Sequence, residues 1–495
     1  MGAPGAATPA GGRHCREPAC PPLTRVVSRP MLVQGHIRRC ALVGTILTAL
    51  AVACVAAAGP PGAWSRAGKR PGSPGFEAGL VRTADGVLHV VSLRRNGAKL
   101  ELWQIRIGSD GKLLGSSTIV RGWSGLANPD LVLSVDGGVR LFVGGNHSAS
   151  AANPGLVTAT APARGAPWAI QQDPVSAGED AALADVGATT ARDGTPIAVW
   201  ATPAGLRYRY DVDPAGADVV VSLPGCCASE PDAATDSATG QSYIAWASSV
   251  AKASGILVQP IGPRGVTGQR IYAPGSASKG RAAAVPPGER VAISSRLGAG
   301  GVYVAYGVGY PAVKGVALWP VGAPRAVLRL PAGGATDIAL SAAPDGRLWL
   351  AWARNGTSYV TRTNRAVTRV EPVRAIASPP RTTSIWRVQG EGSLGLLDLV
   401  TNIDATGGTT FWHQQILPLL SLDVSATTQL DGSTRYAFAV TDAGDPVPNA
   451  TVKVGTQTLT TGLAGTVVLT TTDRPLAAFA SKAGYATGSA RIPKP

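Results

Sequence analysis

The chain has 495 residues, enough for more than one domain. With 62 Gly, 39 Pro, only 15% charged residues and little helical periodicity, it reads as all-β and turn-rich. The formal charge is +15, but residues 1–58 carry six Arg and one Glu, so about +10 stays with the body, where Arg is scattered rather than gathered in a stripe. That spread argues against a nucleic-acid partner and leaves only weak attraction to an anionic cell envelope.

Residues 1–39 read as a disordered Gly-, Ala-, Pro- and Arg-rich leader with a basic n-region, and Met31 is an alternative start. Arg38-Arg39 precede an uncharged run, Cys40 to Ala58, that ends in Ala56-Ala57-Ala58 before Gly59-Pro60-Pro61-Gly62. Residues 40–58 are thus a signal peptide or, at a bilayer-spanning length, an uncleaved membrane anchor. Ala51-Val52-Ala53-Cys54 is similar to a bacterial lipobox, which leaves lipidation at Cys54 as a third reading. The body is expected outside the membrane, secreted or anchored at the cell surface, with membrane contact only through residues 40–58. Residues 59–74 read as a Pro/Gly linker.

A repeat dominates residues 75–420. Gly194-Thr195-Pro196-Ile197-Ala198-Val199-Trp200 returns as Gly240-Gln241-Ser242-Tyr243-Ile244-Ala245-Trp246 and as Gly346-Arg347-Leu348-Trp349-Leu350-Ala351-Trp352. Gly301 to Tyr306 is a looser copy, and turns at Gly86 and Gly137 extend the series. A weaker seventh copy starts at Glu391-Gly392. Steps of roughly 45 to 60 residues suit a four-stranded blade. In the best copy Asp337 to Ser341 is a strand, Pro344-Asp345-Gly346 a turn, Arg347 to Ala353 a second strand, and Asn355-Gly356 a hairpin. Ser358 to Thr363 is the third strand and Arg369 to Val373 the fourth. The expected fold is a β-propeller of seven blades, or six, with the first strand of each blade along the axis and the recurrent Trp or Tyr packed between blades.

Two features mark the axial face. Carboxylates recur where the innermost strands begin: Glu77, Asp130, Asp185, Asp232 and Asp337. Such a ring binds a cation or polar ligand, or it serves as turn and capping chemistry. Cys226-Cys227, the last two cysteines of the chain, stand in the loop entering an innermost strand ahead of Asp232. Outside the cell they are expected to oxidise into a strained vicinal disulfide at the axial mouth, a ligand-facing platform or a loop clip. His89, His147 and His413 are far apart in sequence, so neither a His-based metal site nor a triad is indicated. No phosphate or dinucleotide fingerprint is present, and no cofactor is expected.

A Cys-Cys pair before an Asp-bearing strand, then an Asp- or Gly-turn and an apolar strand ending Ala-Trp, resembles the bacterial sialidase-like (BNR-type) β-propeller proteins over residues 75–420. Ser134-Val135-Asp136-Gly137-Gly138 is similar to the family's Asp-box, with Leu141 in place of the final aromatic. For an active sialidase the resemblance implies an arginine triad, a Tyr–Glu nucleophile pair and an acidic Asp. The Arg-Ile-Pro string of the first triad member occurs here only as Arg491-Ile492-Pro493, outside the propeller, so no catalytic residue is assigned.

Residues 421–495 change texture into short strands of a small β-sandwich. Gly444-Asp445-Pro446-Val447-Pro448-Asn449-Ala450-Thr451-Val452, Thr461-Gly462-Leu463-Ala464-Gly465 and Lys482-Ala483-Gly484-Tyr485 are similar to bacterial Ig-like and carboxypeptidase-regulatory-like domains. Taken together, the expectation is an exported, non-catalytic propeller that binds a surface glycan or a protein. The alternative is a divergent sialidase-like glycoside hydrolase or lyase.

Overall fold

The computed structural model describes residues 61–67, 76–146, 155–163, 165, 167–171, 176, 186–202, 204–210, 221–224, 228–248, 254–276, 291–309, 312–405 and 408–494. The leader, residues 40–58, His147, Asp185, Cys226 and Cys227 lie outside the described residues.

Seven antiparallel sheets follow one another along the chain, each a meander of four or five strands. Their first strands are Gly79–Arg82, Gly125–Leu133, Val186–Thr190, Ala228–Thr235, Ala292–Ser295, Asp337–Ala342 and Thr382–Glu391. Each packs against the first strands of the sheets before and after it, and Gly79–Arg82 meets Thr382–Glu391. This is a closed ring: an all-β propeller of seven blades, numbered here from Gly79. Closure leaves few free sheet edges, which is how all-β chains of this size avoid edge pairing.

The repeat is legible in the physics of one blade. The turn glycines Gly86, Gly137, Gly194, Gly240, Gly301 and Gly346 all have φ between 71° and 108°, a region costly for any side chain. After the turn the second strand is apolar on both faces, because each blade is covered on both sides. Pro196–Thr202 and Leu348–Arg354 are buried almost throughout. Trp200, Trp246, Tyr306 and Trp352 are at most 4% exposed. Each joins a core shared with the preceding blade, as Trp246 does with Ile197, Val199 and Leu206. Truncating one of these rings to Ala costs about 3–5 kcal/mol by the usual measure for buried aromatics.

Two local expectations need correction. Ser65–Arg66, expected within a linker, is the outermost strand of blade 7, pairing Ser65 with His413 and Arg66 with Trp412. The fourth strand of blade 6 is Arg374–Ile376, not Arg369 to Val373. Pro372 has no N–H to give a ladder, and only Val370 bridges back, to Thr363. Blade 7 begins at Thr382, and the seventh copy of the repeat, from Glu391 to Val400, spans its first turn at Gly395 and enters its second strand, Leu397–Ala405, as the other copies do.

Ring closure is reinforced by a buried charged network. Arg82, ending the first inner strand, donates from Nε to Glu391 Oε2 at 2.6 Å, and its Nη2 meets Asp398. Asp398 in turn pairs with His413 Nε2 at 2.7 Å and accepts from Gln415 at 3.1 Å. Trp64 Nε1 donates to Ala377 O at 2.5 Å, and its ring packs against the core shared by blades 6 and 7.

From Ser421 the chain forms two further sheets. One holds Ser421–Thr428, Thr434–Asp442, Asp445–Pro446 and Thr466–Thr471; the other holds Thr451–Val454, Gln457–Thr460, Ala477–Ser481 and Gly488–Arg491. Tyr436, Phe438 and Val440 of the first share a core with Val452, Val454, Ala478 and Ala480 of the second, so this is a small β-sandwich. It is pinned to blade 6. Asp442, 1% exposed, meets the Arg362 guanidinium and accepts from Tyr485 Oη at 3.1 Å, while Arg347 reaches Asp445 at 2.6 Å. Glu371 accepts from Leu419 N at 2.8 Å and pairs with Arg374. Burial pushes the Glu371 carboxyl above its ordinary range, against the pull of Arg374.

Candidate functional site

Three aspartates of the inner strands follow one rule, Asp130 and Asp232 within Gly125–Leu133 and Ala228–Thr235 and Asp337 at the start of Asp337–Ala342. Asp130 of blade 2 accepts from its own neighbour Leu131 N at 2.8 Å and from Ala188 N of blade 3 at 2.7 Å. Asp232 of blade 4 accepts from Ala233 N at 2.8 Å and from Ile293 N of blade 5 at 3.1 Å. Asp337 of blade 6 accepts from Val388 N of blade 7 at 2.6 Å. An edge strand leaves amides unpaired, and a carboxylate from the adjoining blade satisfies one with a charge-assisted bond. Blades 2, 4 and 6 are thus stapled to blades 3, 5 and 7. Asn128 completes the pattern by accepting from Glu77 N at 3.0 Å.

The inner strands approach closely at these staples. A Cβ on Gly187 would lie 2.5 Å from Pro231 O and 2.7 Å from Asp232 Cα, so only glycine fits there. Beneath, a small cavity of about 90 Å³ holds Asp130, Asp232 and Gln389. The Gln389 side chain is 2% exposed and finds no protein hydrogen-bond partner for either amide atom.

Above this cavity four charged side chains from four blades converge. Arg387 of blade 7 sits at the centre. Its Nη1 is 3.3 Å from Glu77 Oε1 and 3.1 Å from Asp337 Oδ1, and its Nη2 is 3.3 Å from Glu230 Oε1. Arg387 is 11% exposed, Glu77 9%, Glu230 11% and Asp337 0% at the side chain. Burial works against the charged guanidinium, but the Glu77, Asp337 and Glu230 carboxylates outweigh it and hold the Arg387 pKa above the ordinary arginine value.

Two backbone distortions build this cluster. Glu230 has φ 50° and lies in a bulge of blade 4 between Ser229 and Asp232. A non-glycine residue there costs of order 1 kcal/mol or more, and bulges re-aim side chains next to functional sites. The bulge separates the roles of neighbours, with Asp232 stapling blade 5 and Glu230 reaching Arg387. Blade 7 has its own register shift between Ile385 and Arg387, which leaves Trp386 out of the ladder and 43% exposed.

Of the residues expected at the axis, Glu77 and Asp337 are brought together on Arg387. Asp130 and Asp232 line the cavity below as staples. Asp185, Cys226 and Cys227 lie outside the described residues, as noted. Sequence reasoning missed Glu230, Arg387 and Gln389. Glu230 stands two residues before Asp232 in the same string, and that spacing was the available signal.

Among the described residues, two grooves and two histidine clusters were candidates for acid–base chemistry and lack a second free carboxylate. Two larger open grooves, about 810 and 670 Å³, lie between blades 2 and 3 and between blades 3 and 4 at the turn-glycine end. Among the described residues they hold a single carboxylate each, Asp136 and Asp193. The string at Ser134 is a turn, with Gly137 N donating to Ser134 O at 2.9 Å and Gly138 N to Asp136 Oδ1 at 2.9 Å. Ser65, His413 and Asp398 fall in the order of a hydrolytic triad, but Ser65 Oγ is 3.4 Å from His413 Nδ1 and Asp398 is already held by Arg82. The group is ring-closure structure. His89 is a packed structural group as well: burial lowers its pKa, Gln104 Nε2 donates to its Nδ1 at 2.8 Å, and its Nε2 faces Ala163 O at 3.1 Å. Among the described residues no group of three or more His, Cys, Asp or Glu is arranged to hold a metal ion.

No protein-family model and no curated protein matches the chain. Solved structures do resemble it. The polysaccharide lyase Uly1 is 10% identical with a TM-score of 0.43, over 72% of this chain and 93% of that one. A mutant of Trypanosoma rangeli sialidase displaying trans-sialidase activity is 12% identical with a TM-score of 0.42, over 73% and 60%. The Penicillium chrysogenum α-L-arabinanase complexed with arabinobiose is 14% identical with a TM-score of 0.40, over 63% and 97%. These are β-propeller proteins, and the likeness is one of fold.

Proposed function

We propose that the axial cluster is a carbohydrate site and that the chain is a propeller glycoside hydrolase acting on a neutral glycan. The observation that carries this reading is the convergence of Glu77, Glu230 and Asp337 on Arg387 at one end of the axis. Glycoside hydrolysis needs two carboxyl groups on either side of the scissile bond, one to give a proton to the leaving oxygen and one to act as base or nucleophile. Glu77 and Glu230 each lie 3.3 Å from a terminal nitrogen of the one Arg387 guanidinium, so their nearest oxygens are no more than about 9 Å apart, within reach of such a pair. Asp337 is fully buried and held by Val388 N, which makes it a positioning residue for Arg387. Glu77 and Glu230 are left as the acid–base candidates, with Glu230 set by the bulge.

Charge selects the substrate class. Three carboxylates face one guanidinium, and Asp130 and Asp232 lie below. A further anion 4 Å from a surplus carboxylate costs about 4 kcal/mol at an effective dielectric of about 20. Sialosides and the uronates that lyases cleave carry such an anion, and a neutral sugar does not. We extend the proposal to compartment: residues 40–58 export the chain, Cys226 and Cys227 form a vicinal disulfide at the axial mouth, and the sandwich is an Ig-like spacer.

A second reading, binding without turnover, is favoured by one observation. All three carboxylates already engage Arg387, an arrangement that also suits a rigid recognition surface. Release of reducing ends from neutral oligosaccharides separates the two. Turnover that falls at least 100-fold in Glu230→Gln and Glu77→Gln, with both variants folded by circular dichroism, supports hydrolysis. Binding of the same oligosaccharides with no product from the wild type moves the assignment to the second reading.

A further inference from the structure

The chain has eleven tryptophans, all among the described residues, and ten are buried or half-buried. Trp386 is the exception at 43% exposed. It stands immediately before Arg387 on the innermost strand of blade 7 and one residue nearer that strand's start. The strand pairs Ile385 with Ile403 and then Arg387 with Asn402, so Trp386 occupies the bulge between them and has no cross-strand partner. Elsewhere indoles are covered, by Arg94 on Trp103, Arg270 on Trp246 and Arg362 on Trp349. Trp386 makes no such contact, nor a hydrogen bond, among the described residues.

Leaving an indole in water on the residue next to Arg387 forfeits burial that the other ten keep in whole or in part. A bulge spent on turning it outward points to a ligand. The two parts of the neighbourhood are complementary in chemistry. Arg387, Glu77 and Glu230 offer hydrogen-bond donors and acceptors, while the indole offers a flat apolar face. A pyranose ring has the matching pair of surfaces, hydroxyl groups around its rim and a patch of axial C–H bonds on its face.

We propose that Trp386 is the stacking platform of the axial site and that it sets the substrate class to neutral pyranosides. This rests on the carbohydrate reading of the site and adds to it the ring form. A furanoside is smaller and puckered and presents no comparable flat C–H face, and a polyuronate brings the charge that the carboxylates repel. Trp386 acts by holding a sugar ring, not by proton transfer.

The test is calorimetric binding by the whole chain to cellohexaose, mannohexaose, a β-1,4-galactan, arabinohexaose and hexagalacturonate, with Trp386→Ala, Trp386→Phe and Glu230→Gln compared with the wild type. The wild type is expected to bind at least one neutral pyranoside ten-fold or more tightly than arabinohexaose and hexagalacturonate. Trp386→Ala should weaken that binding at least ten-fold, Trp386→Phe should keep most of it, and both should melt with the wild type because the side chain is exposed. If Trp386→Ala binds like the wild type while Glu230→Gln does not, the platform is refuted and the carbohydrate site stands. If arabinohexaose binds best, the ring-form assignment is wrong. If the wild type binds none of the five, the carbohydrate reading and the platform both fall.

Discussion

Replacing Arg387 by Met probes the axial cluster most severely. The substitution keeps the volume roughly constant and removes the one cation shared by Glu77, Glu230 and Asp337. Breaking a buried ion pair by removing one partner costs about 3–5 kcal/mol, because the remaining charge is buried without compensation. Here three carboxylates are left, and all are at most 11% exposed at the side chain, so the upper end of that range is expected near neutral pH. The pH dependence follows from the same groups. Arg387 has its pKa raised, so its contribution is complete below the unfolded arginine value and is lost only in strong alkali. Between pH 7 and 5 the wild type therefore keeps the full benefit. In the variant the clustered carboxylates take up protons more readily than in the unfolded chain, so stability is regained as pH falls. Urea unfolding at pH 7 and pH 5 reads both effects. The difference between variant and wild type should be about 5 kcal/mol at pH 7 and at least about 1 kcal/mol smaller at pH 5. A variant as stable as the wild type at pH 7, or a deficit that does not shrink on acidification, would refute the buried-cluster reasoning.

Three further outcomes follow from the fold. Gly187→Ala should lose about 1–3 kcal/mol in urea unfolding, since its Cβ meets blade 4 backbone that cannot move aside. Removing residues 1–67 takes the outer strand and Trp64 from blade 7. A loss of about 2 kcal/mol and increased light scattering on heating are expected, from lost burial and an exposed edge. Asp442→Asn should destabilise by about 3 kcal/mol by leaving the Arg362 charge buried. It should also lower the titration of Tyr485, which burial and then the Asp442 carboxylate raise. A phenol with a raised folded pKa contributes stability that is complete below its ordinary value of about 10 and is lost as pH rises through the folded one. In the variant that alkaline loss should therefore start at the same pH but be smaller and end at lower pH, with the earlier ionisation of the folded phenol read by ultraviolet difference spectroscopy.

The propeller was legible because its signals are local. A turn glycine with positive φ and a buried second strand ending in Trp repeat within one blade, so Trp200, Trp246 and Trp352 could be placed from sequence. The axial site was legible only in part, because it is not local. Glu230 and Arg387 are 157 residues apart in sequence and meet because seven blades close a ring. The bulges that aim Glu230 and expose Trp386 insert a residue without any composition cue. Asp130 and Asp232 show the opposite limit: their positions were found, but their carboxylates serve the next blade's amides. Ser65 was missed because a two-residue strand flanked by Pro and Gly looks like linker until the ring closes on it.

The most direct measurement is a crystal structure of the Glu230→Gln variant soaked with a neutral pyranose oligosaccharide. The account predicts a sugar ring at the axial mouth, stacked on Trp386, with its glycosidic oxygen beside residue 230 and within reach of Glu77. A sugar bound instead in the grooves at Asp136 or Asp193, with the Arg387 cluster untouched, would contradict it.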